Sequence, residues 1–311
     1  MSDHVAADLI ARLDLTSSTV ATDCGEVVLG GPDTPWAEAA WLAVDAVCDS
    51  DRIAAVELRF YDRTAGAKPA VRILLGLFPG LPARLAVPLT ALDGQAIFLP
   101  RTPGRLKAFT ASRRLAPAEI GRVALAVVDH AAPQEVRLAD AVLLRREPAY
   151  PVPAMPLVDA LGQWRGRAWP GRTRDEADLR EALHREREAV RTAAFPAGWS
   201  RWGGDAAHRL PATGFFRTHH DGRRWWLVDP DGCAFWSAGL DCVNPGESTA
   251  LLPGMERLVE ALPPTDGVWA EAGIHTTNPR GQRSVNLAIA NLVRAFGADW
   301  RQAWTGLTAG R

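Results

Sequence analysis

Between residues 20 and 144 apolar side chains recur at every second position, and this alternation constrains the fold of the chain more than any other feature. Val56, Leu58 and Phe60 alternate with Glu57, Arg59 and Tyr61. Val71, Ile73, Leu75 and Leu77 form a second face, followed by Leu85, Val87 and Leu89, by Val123, Leu125 and Val127, and by Val136, Leu138, Val142 and Leu144. A period of two is that of a strand with one side in a core. Short strands at roughly ten-residue spacing, broken by turn pairs such as Pro79-Gly80 and Pro103-Gly104, predict an antiparallel β-sandwich or jelly roll over residues 19–147. Residues 1–18 lack the pattern and are expected to be weakly ordered.

A second region begins at a proline cluster. Pro148, Pro151, Pro153 and Pro156 make a semi-rigid connector, and tryptophan usage changes across it. Of twelve tryptophans only Trp36 and Trp41 precede the connector. Ring-rich surfaces suit both sugar stacking and interdomain packing. The connector region, residues 148–213, includes a helix over 174–191, with Thr173 and Glu176 spaced as a capping box and Leu179, Leu183 and Val190 on one stripe. The surrounding charges of both signs describe a solvated face. Residues 194–211 set Trp199 and Trp202 among glycines and are expected to be irregular.

The strongest turn chemistry lies in residues 214–244. Asp221-Gly222 and Asp229-Pro230-Asp231-Gly232 bracket an aromatic and aliphatic run, Arg224 to Val228, and a second run starts at Cys233. Proline presets φ, aspartates bond their own backbone and glycine accepts positive φ, so a hairpin is predicted. Farther on, Met255, Leu258, Val259 and Leu262 suggest a short helix. Ser284 is placed to cap a helix through Phe296, with Gly297 at its C-terminus and a further turn through Trp300, Trp304 and Leu307.

In this same stretch GFFRT, DGRRWWLVDPDG and FWSAGLDCVNPGE resemble the opening of the catalytic barrel in agarase-type glycoside hydrolases of family fifty. LVDALGQWRGRAWPGRTRDEADL, residues 157–179, resembles the segment that leads from their β-sandwich toward that barrel. The fold implied is mainly β: an N-terminal jelly roll of carbohydrate-binding-module type, galactose-binding-like, then an α/β region resembling the first units of a (β/α)₈ barrel over residues 214–311. The activity implied is retaining hydrolysis of β-linked galactose units. A full barrel takes about 250 residues, so residues 244–311 hold only one or two of its units. The family's two catalytic glutamates come from later strands and have no counterpart here. The sequence thus reads as the front part of a glycoside hydrolase, inactive as written.

No catalytic residue is therefore assigned. Asp241, Asn244 and Glu247, beside the presumed end of the first barrel strand, together with Trp236, are candidate substrate-binding residues, because barrels place their sites at strand C-termini. Asp266 and Glu271 lie in the same region, and Asp and Asn also shape loops for purely local reasons. His219 and His220 fall on opposite sides of a strand and cannot easily chelate one ion, and neither they nor His275 complete a metal motif. Phosphate-binding glycine loops and the GxSxG elbow are absent, so no cofactor is expected. A net charge of −1 gives no footprint for nucleic acid, and no stretch is apolar enough to span a membrane. Without a signal segment the chain reads as cytoplasmic, or secreted if the true start lies upstream. Cys24, Cys48, Cys233 and Cys242 have neither metal nor disulfide spacing and read as small buried apolar groups. The partner implied is a galactan or other β-linked glycan. Two alternatives stand beside hydrolysis: a non-catalytic carbohydrate-binding protein, and a structural fragment whose incomplete barrel drives self-association.

Overall fold

The computed structural model describes residues 8–22, 25–64, 67–100, 102–128, 133–237, 239, 243–251, 253–273, 276–277 and 283–308. The chain forms two compact units, Met1–Pro153 and Ala154–Arg311.

The first unit is a sandwich of two antiparallel sheets. Its strands are β1 (Leu9–Arg12), β2 (Thr19–Ala21), β3 (Glu26–Gly30), β4 (Trp41–Cys48), β5 (Ala54–Asp62), β6 (Val71–Leu77), β7 (Ala83–Pro88), β8 (Ala108–Ser112), β9 (Ile120–Val127) and β10 (Glu135–Leu144). One sheet runs β1-β10-β4-β7, with β2 also on β10, and the other runs β3-β9-β5-β6-β8. Strand β6 shows the expected alternation, with Val71, Ile73, Leu75 and Leu77 buried against the facing sheet. Each such side chain contributes about 1.5–3 kcal/mol when fully withdrawn from water.

Two departures from the expected pattern have local causes. Leu9–Arg12 is not loose but an edge strand paired antiparallel with β10. Within β10 the register slips between Leu138 and Ala141, which reverses the facing of the strand's C-terminal half. Val136, Leu138, Ala141 and Leu143 therefore fill the main core, while Val142 and Leu144 pack on the other side with Ala43 and Ala86, against Leu9, Trp41 and Tyr150. On β5 the alternate residues Glu57 and Tyr61 are buried as well. Glu26 binds them into a charged network on that face: it accepts from Tyr61 Oη at 2.8 Å and pairs with Arg59 and Arg122, and Arg59 also pairs with Glu57. Trp36 lies in the core, whereas Phe78, Phe98 and Phe109 are exposed. Phe109 is outward because its neighbours Ala108 and Thr110 take the inward positions of β8.

The second unit opens with helix α1 (Glu176–Thr192). Its cap is Asp175, whose carboxylate accepts the Asp178 N–H, rather than Thr173, whose backbone N–H and carbonyl are held by the Gln163 side chain. A four-stranded antiparallel sheet comes next, in the order β11 (Gly204–Arg209), β14 (Cys233–Phe235), β13 (Trp225–Val228) and β12 (Arg217–His220). Strand β11 lies where irregular chain is expected from the sequence. Its residues GDAAHR have little β-propensity, and pairing with β14 defines it. The hairpin is present as expected, with Leu227 opposite Phe235 and Val228 opposite Ala234 across residues 229–232. Three short strands, β15 (Ala250–Leu251), β16 (Thr276–Thr277) and β17 (Arg283–Val285), also pair antiparallel. Met255 and its neighbours give only a 3₁₀ turn, Glu256–Leu258.

Helices α2 (Leu287–Phe296) and α3 (Trp300–Thr308) close the unit. Ser284 is buried in β17, and Asn286 is the cap of α2, accepting the Ile289 N–H at 2.9 Å. Gly297 ends α2 at φ 57°. Ile289, Leu292, Val293 and Trp300 form a core with Ala272 and Ala290, and His184 of α1 meets the Ala295 carbonyl at 3.1 Å. No helix among the described residues is long and apolar enough to cross a membrane.

Candidate functional site

Exposed rings cluster on and beside the four-stranded sheet of the second unit. Trp199, Trp202, Phe215, Phe216, Trp225 and Trp236 are all exposed, Trp236 at 81%. Two of these rings, Trp199 and Trp236, line a cleft of about 330 Å³ together with Trp226, Phe235, Asp205 and His208.

Three of the four aromatic walls, Trp226, Trp199 and Phe235, are packed against further side chains. Trp226 donates its indole N–H to Asp221 at 2.7 Å, the Arg224 guanidinium lies 3.9 Å over its ring, and His208 meets it edge-on at 4.6 Å. The Trp226 bond, followed by the backbone N–H groups of Arg224 and Arg223, holds the Asp221 carboxyl well below the usual carboxylate range. Phe195 stacks on Trp199 at 5.8 Å with only 12° between the planes, and Phe216 packs against Phe235 at 5.1 Å. Asp205 accepts the Ala207 N–H at 2.9 Å, which fixes its carboxylate.

A knot of polar groups beneath the cleft joins its two sides. Asp229 is fully buried in the hairpin turn and accepts from the Cys233 N–H at 2.8 Å and from the Ser200 hydroxyl. Ser200 Oγ in turn accepts the N–H groups of Gly204 and Trp202. The loop that carries Trp199 is thereby fastened to the hairpin that carries Trp226 and Trp236.

Of the candidate binding residues, Trp236 and Asn244 border different cavities. Trp236 lines the cleft. Asn244 caps the 3₁₀ turn Pro245–Glu247, accepting the Gly246 N–H at 2.9 Å. It borders a different, apolar groove of about 360 Å³ with Leu179, Leu183, Leu292 and Trp304. Glu247 ends that turn, and Asp241 lies outside the described residues. Asp266 precedes the 3₁₀ turn Gly267–Trp269, and Glu271 pairs with Arg301. Asp205, His208 and Trp226 escape a reading of the sequence. For Asp205 and His208 the one signal is the Trp202-Gly203-Gly204 run at the start of β11, since glycines beside a ring mark close backbone approach, while Trp226 belongs to the aromatic run between the two turns.

His219 pairs with Trp226 and His220 with Trp225, so the two imidazoles occupy opposite sides of β12. His275, Cys24 and Cys242 fall outside the described residues. Cys48 and Cys233 are buried free thiols.

Comparison with known proteins agrees with this architecture. A beta-agarase B of Vibrio sp. (strain JT0107) is 26% identical over 181 residues, half of this chain and 19% of that protein. The chain is agarase-like. Among solved structures, PfGH50B matches 99% of the chain at 20% identity and a TM-score of 0.51. An agarase, AgWH50C, matches 99% at 19% identity and a TM-score of 0.50. The agarase-like chain covers 51% of each of these structures, so it spans about half their length and about a fifth of the curated relative. At these identities the structural matches speak for the fold alone. No protein-family profile matches the chain.

Proposed function

We propose that this chain is the sandwich-and-connector part of an agarase-like glycoside hydrolase acting on β-galactosidic polysaccharide, and that its own share of the work is holding the glycan. The similarity to beta-agarase B carries the reading, supported by the fold shared with an agarase over nearly the whole chain. In this reading residues 1–18 lead into the sandwich at 19–147. Residues 148–213 form the connector, and 214–311 are the hairpin and first units of a (β/α)₈ barrel.

One observation favours binding without cleavage. Glycosidases flank the scissile bond with two carboxyl groups, and Asp205 is the one acid among the described residues lining the aromatic cleft. The chain is thus a non-catalytic carbohydrate-binding element by itself. Incubating it with agarose tests both halves of the proposal. Retention on the polysaccharide without new reducing ends is expected. Release of oligosaccharides would refute the absence of catalysis, and failure to be retained would refute the assignment to galactan.

A further inference from the structure

We propose that the cleft between the Trp199 loop and the hairpin is the seat of a neutral β-linked galactan, with Trp236 as its stacking platform and Asp205 and His208 as its polar contacts. This rests on the agarase-like reading and adds the site and the selectivity.

The first observation is the exposure of Trp236. An indole offers on the order of 150–250 Å² of apolar surface, which is favourably removed from water at about 25 cal/mol per Å². At 81% exposure Trp236 leaves most of that gain unrealised. A lone exposed ring needs no explanation, but this one borders a concave site with two further indoles in its walls. The ligand that fits must present a flat C–H face to a ring and hydroxyls to its surroundings. β-Galactose does so: its axial O4 leaves the C3, C4 and C5 hydrogens clustered on one side.

The second observation is pre-organisation. Trp226 is clamped by Asp221 and Arg224, and Trp199 is backed by Phe195. These two walls lose little side-chain freedom when a sugar settles on Trp236, which favours affinity. A volume of about 330 Å³ is at the small end of the roughly 300–1,000 Å³ range of ligand pockets, suited to a short stretch of sugar rings rather than to a protein segment.

The third is charge. Asp205 is the acid of the cleft and its carboxylate is oriented by Ala207. Carboxylates accept well from vicinal hydroxyls, and a fixed negative charge repels a sulfated or uronic glycan. A neutral galactan is thereby selected.

Calorimetric titration of the chain with an agarose tetrasaccharide, and with a sulfated galactan oligosaccharide of equal length, tests this. Trp236→Ala and Asp205→Ala are expected to weaken tetrasaccharide binding on the order of tenfold or more. Trp225→Ala alters a ring 70% exposed on the same hairpin but outside the cleft lining, and should bind as the parent does. The sulfated oligosaccharide should bind more weakly than the neutral one, with the gap narrowed in Asp205→Ala. Parent-like binding by both cleft variants, or loss in Trp225→Ala alone, would overturn the site while leaving the agarase-like reading intact. Equal binding of the sulfated ligand would overturn the selectivity. No binding by the parent would instead remove the reading on which the site rests. Trp236 is almost fully exposed, so near-UV circular dichroism of its variant should retain a folded signature.

Discussion

The Ser200 hydroxyl donates to the buried carboxylate of Asp229, and this bond fastens one wall of the aromatic cleft to the other. Asp229 sits in the turn of the hairpin, and Ser200 is the residue directly after Trp199. Replacing Ser200 by alanine leaves a buried carboxylate oxygen without its donor and deprives the Gly204 and Trp202 N–H groups of their acceptor. Such orphaning costs about 1–3 kcal/mol. Ser200→Ala should lower the urea midpoint accordingly, with the change tracked by tryptophan fluorescence. An unchanged midpoint would mean that water replaces the hydroxyl.

Glycines around this knot should tolerate alanine very unequally. A Cβ on Gly204 would lie 2.5 Å from Asp229 Oδ2 and 2.8 Å from Cys233 Cβ. On Gly232 it would lie 2.2 Å from the Leu210 carbonyl oxygen, at a φ of +87°. Gly214 also has positive φ, +79°, but open space around it. Gly214→Ala should cost about 1–2 kcal/mol from backbone strain alone. Gly232→Ala should add an overpacking penalty of about 1–3 kcal/mol. The ranking of denaturation midpoints checks this: Gly214→Ala highest, Gly232→Ala lowest.

These two neighbourhoods mark how far the sequence can be read. The hairpin turn is legible because Pro230, Gly232 and the flanking aspartates act within four residues of one another, and β6 is legible because nothing interrupts its alternation. Strand β10 is not, since a register slip leaves no mark in composition and turns Val142 and Leu144 to the other face. The α2 cap lies two residues beyond the expected Ser284 because Ser284 and Asn286 are equally good local candidates, and only the pairing of β17 decides between them. For the cleft, Trp236 stands out beside a strong turn. Asp205 and His208 reach the site through the pairing of β11 with β14, a long-range contact whose local trace is no more than the Trp202-Gly203-Gly204 run.

Asn286 should prove more than a helix cap. Its Oδ1 accepts from Ile289, while its Nδ2 donates to the Pro245 carbonyl at 2.6 Å, tying the turn beside Asn244 to the start of α2. Asn286→Ala removes both bonds, and the lost cap alone costs about 0.5–2 kcal/mol. Asn286→Ser keeps a neutral capping oxygen and loses the donor. Thermal unfolding should therefore rank the parent above Asn286→Ser and that above Asn286→Ala. Equal loss in the two variants would place all of the effect in the Pro245 bond.

Acid should weaken the connector of the second unit through Asp159. Burial by itself would raise the pKa of this carboxyl. The Arg172 guanidinium at 2.9 Å and the N–H groups of Gln163 and Leu161 outweigh that and hold it below the ordinary carboxylate value. A depressed folded pKa means that the unfolded chain takes up its proton first as pH falls. The stabilisation is thus complete above the unfolded value of about 3.9 and disappears as pH drops through the lower folded value. Asp159→Asn abolishes the titration and the Arg172 ion pair together. It should lower stability near neutral pH and flatten the acid limb below about pH 4, so that parent and variant converge there. Chemical denaturation at pH 7, 4 and 3 reads this directly, and a constant offset between the two proteins across that range would assign the acid sensitivity to other carboxylates.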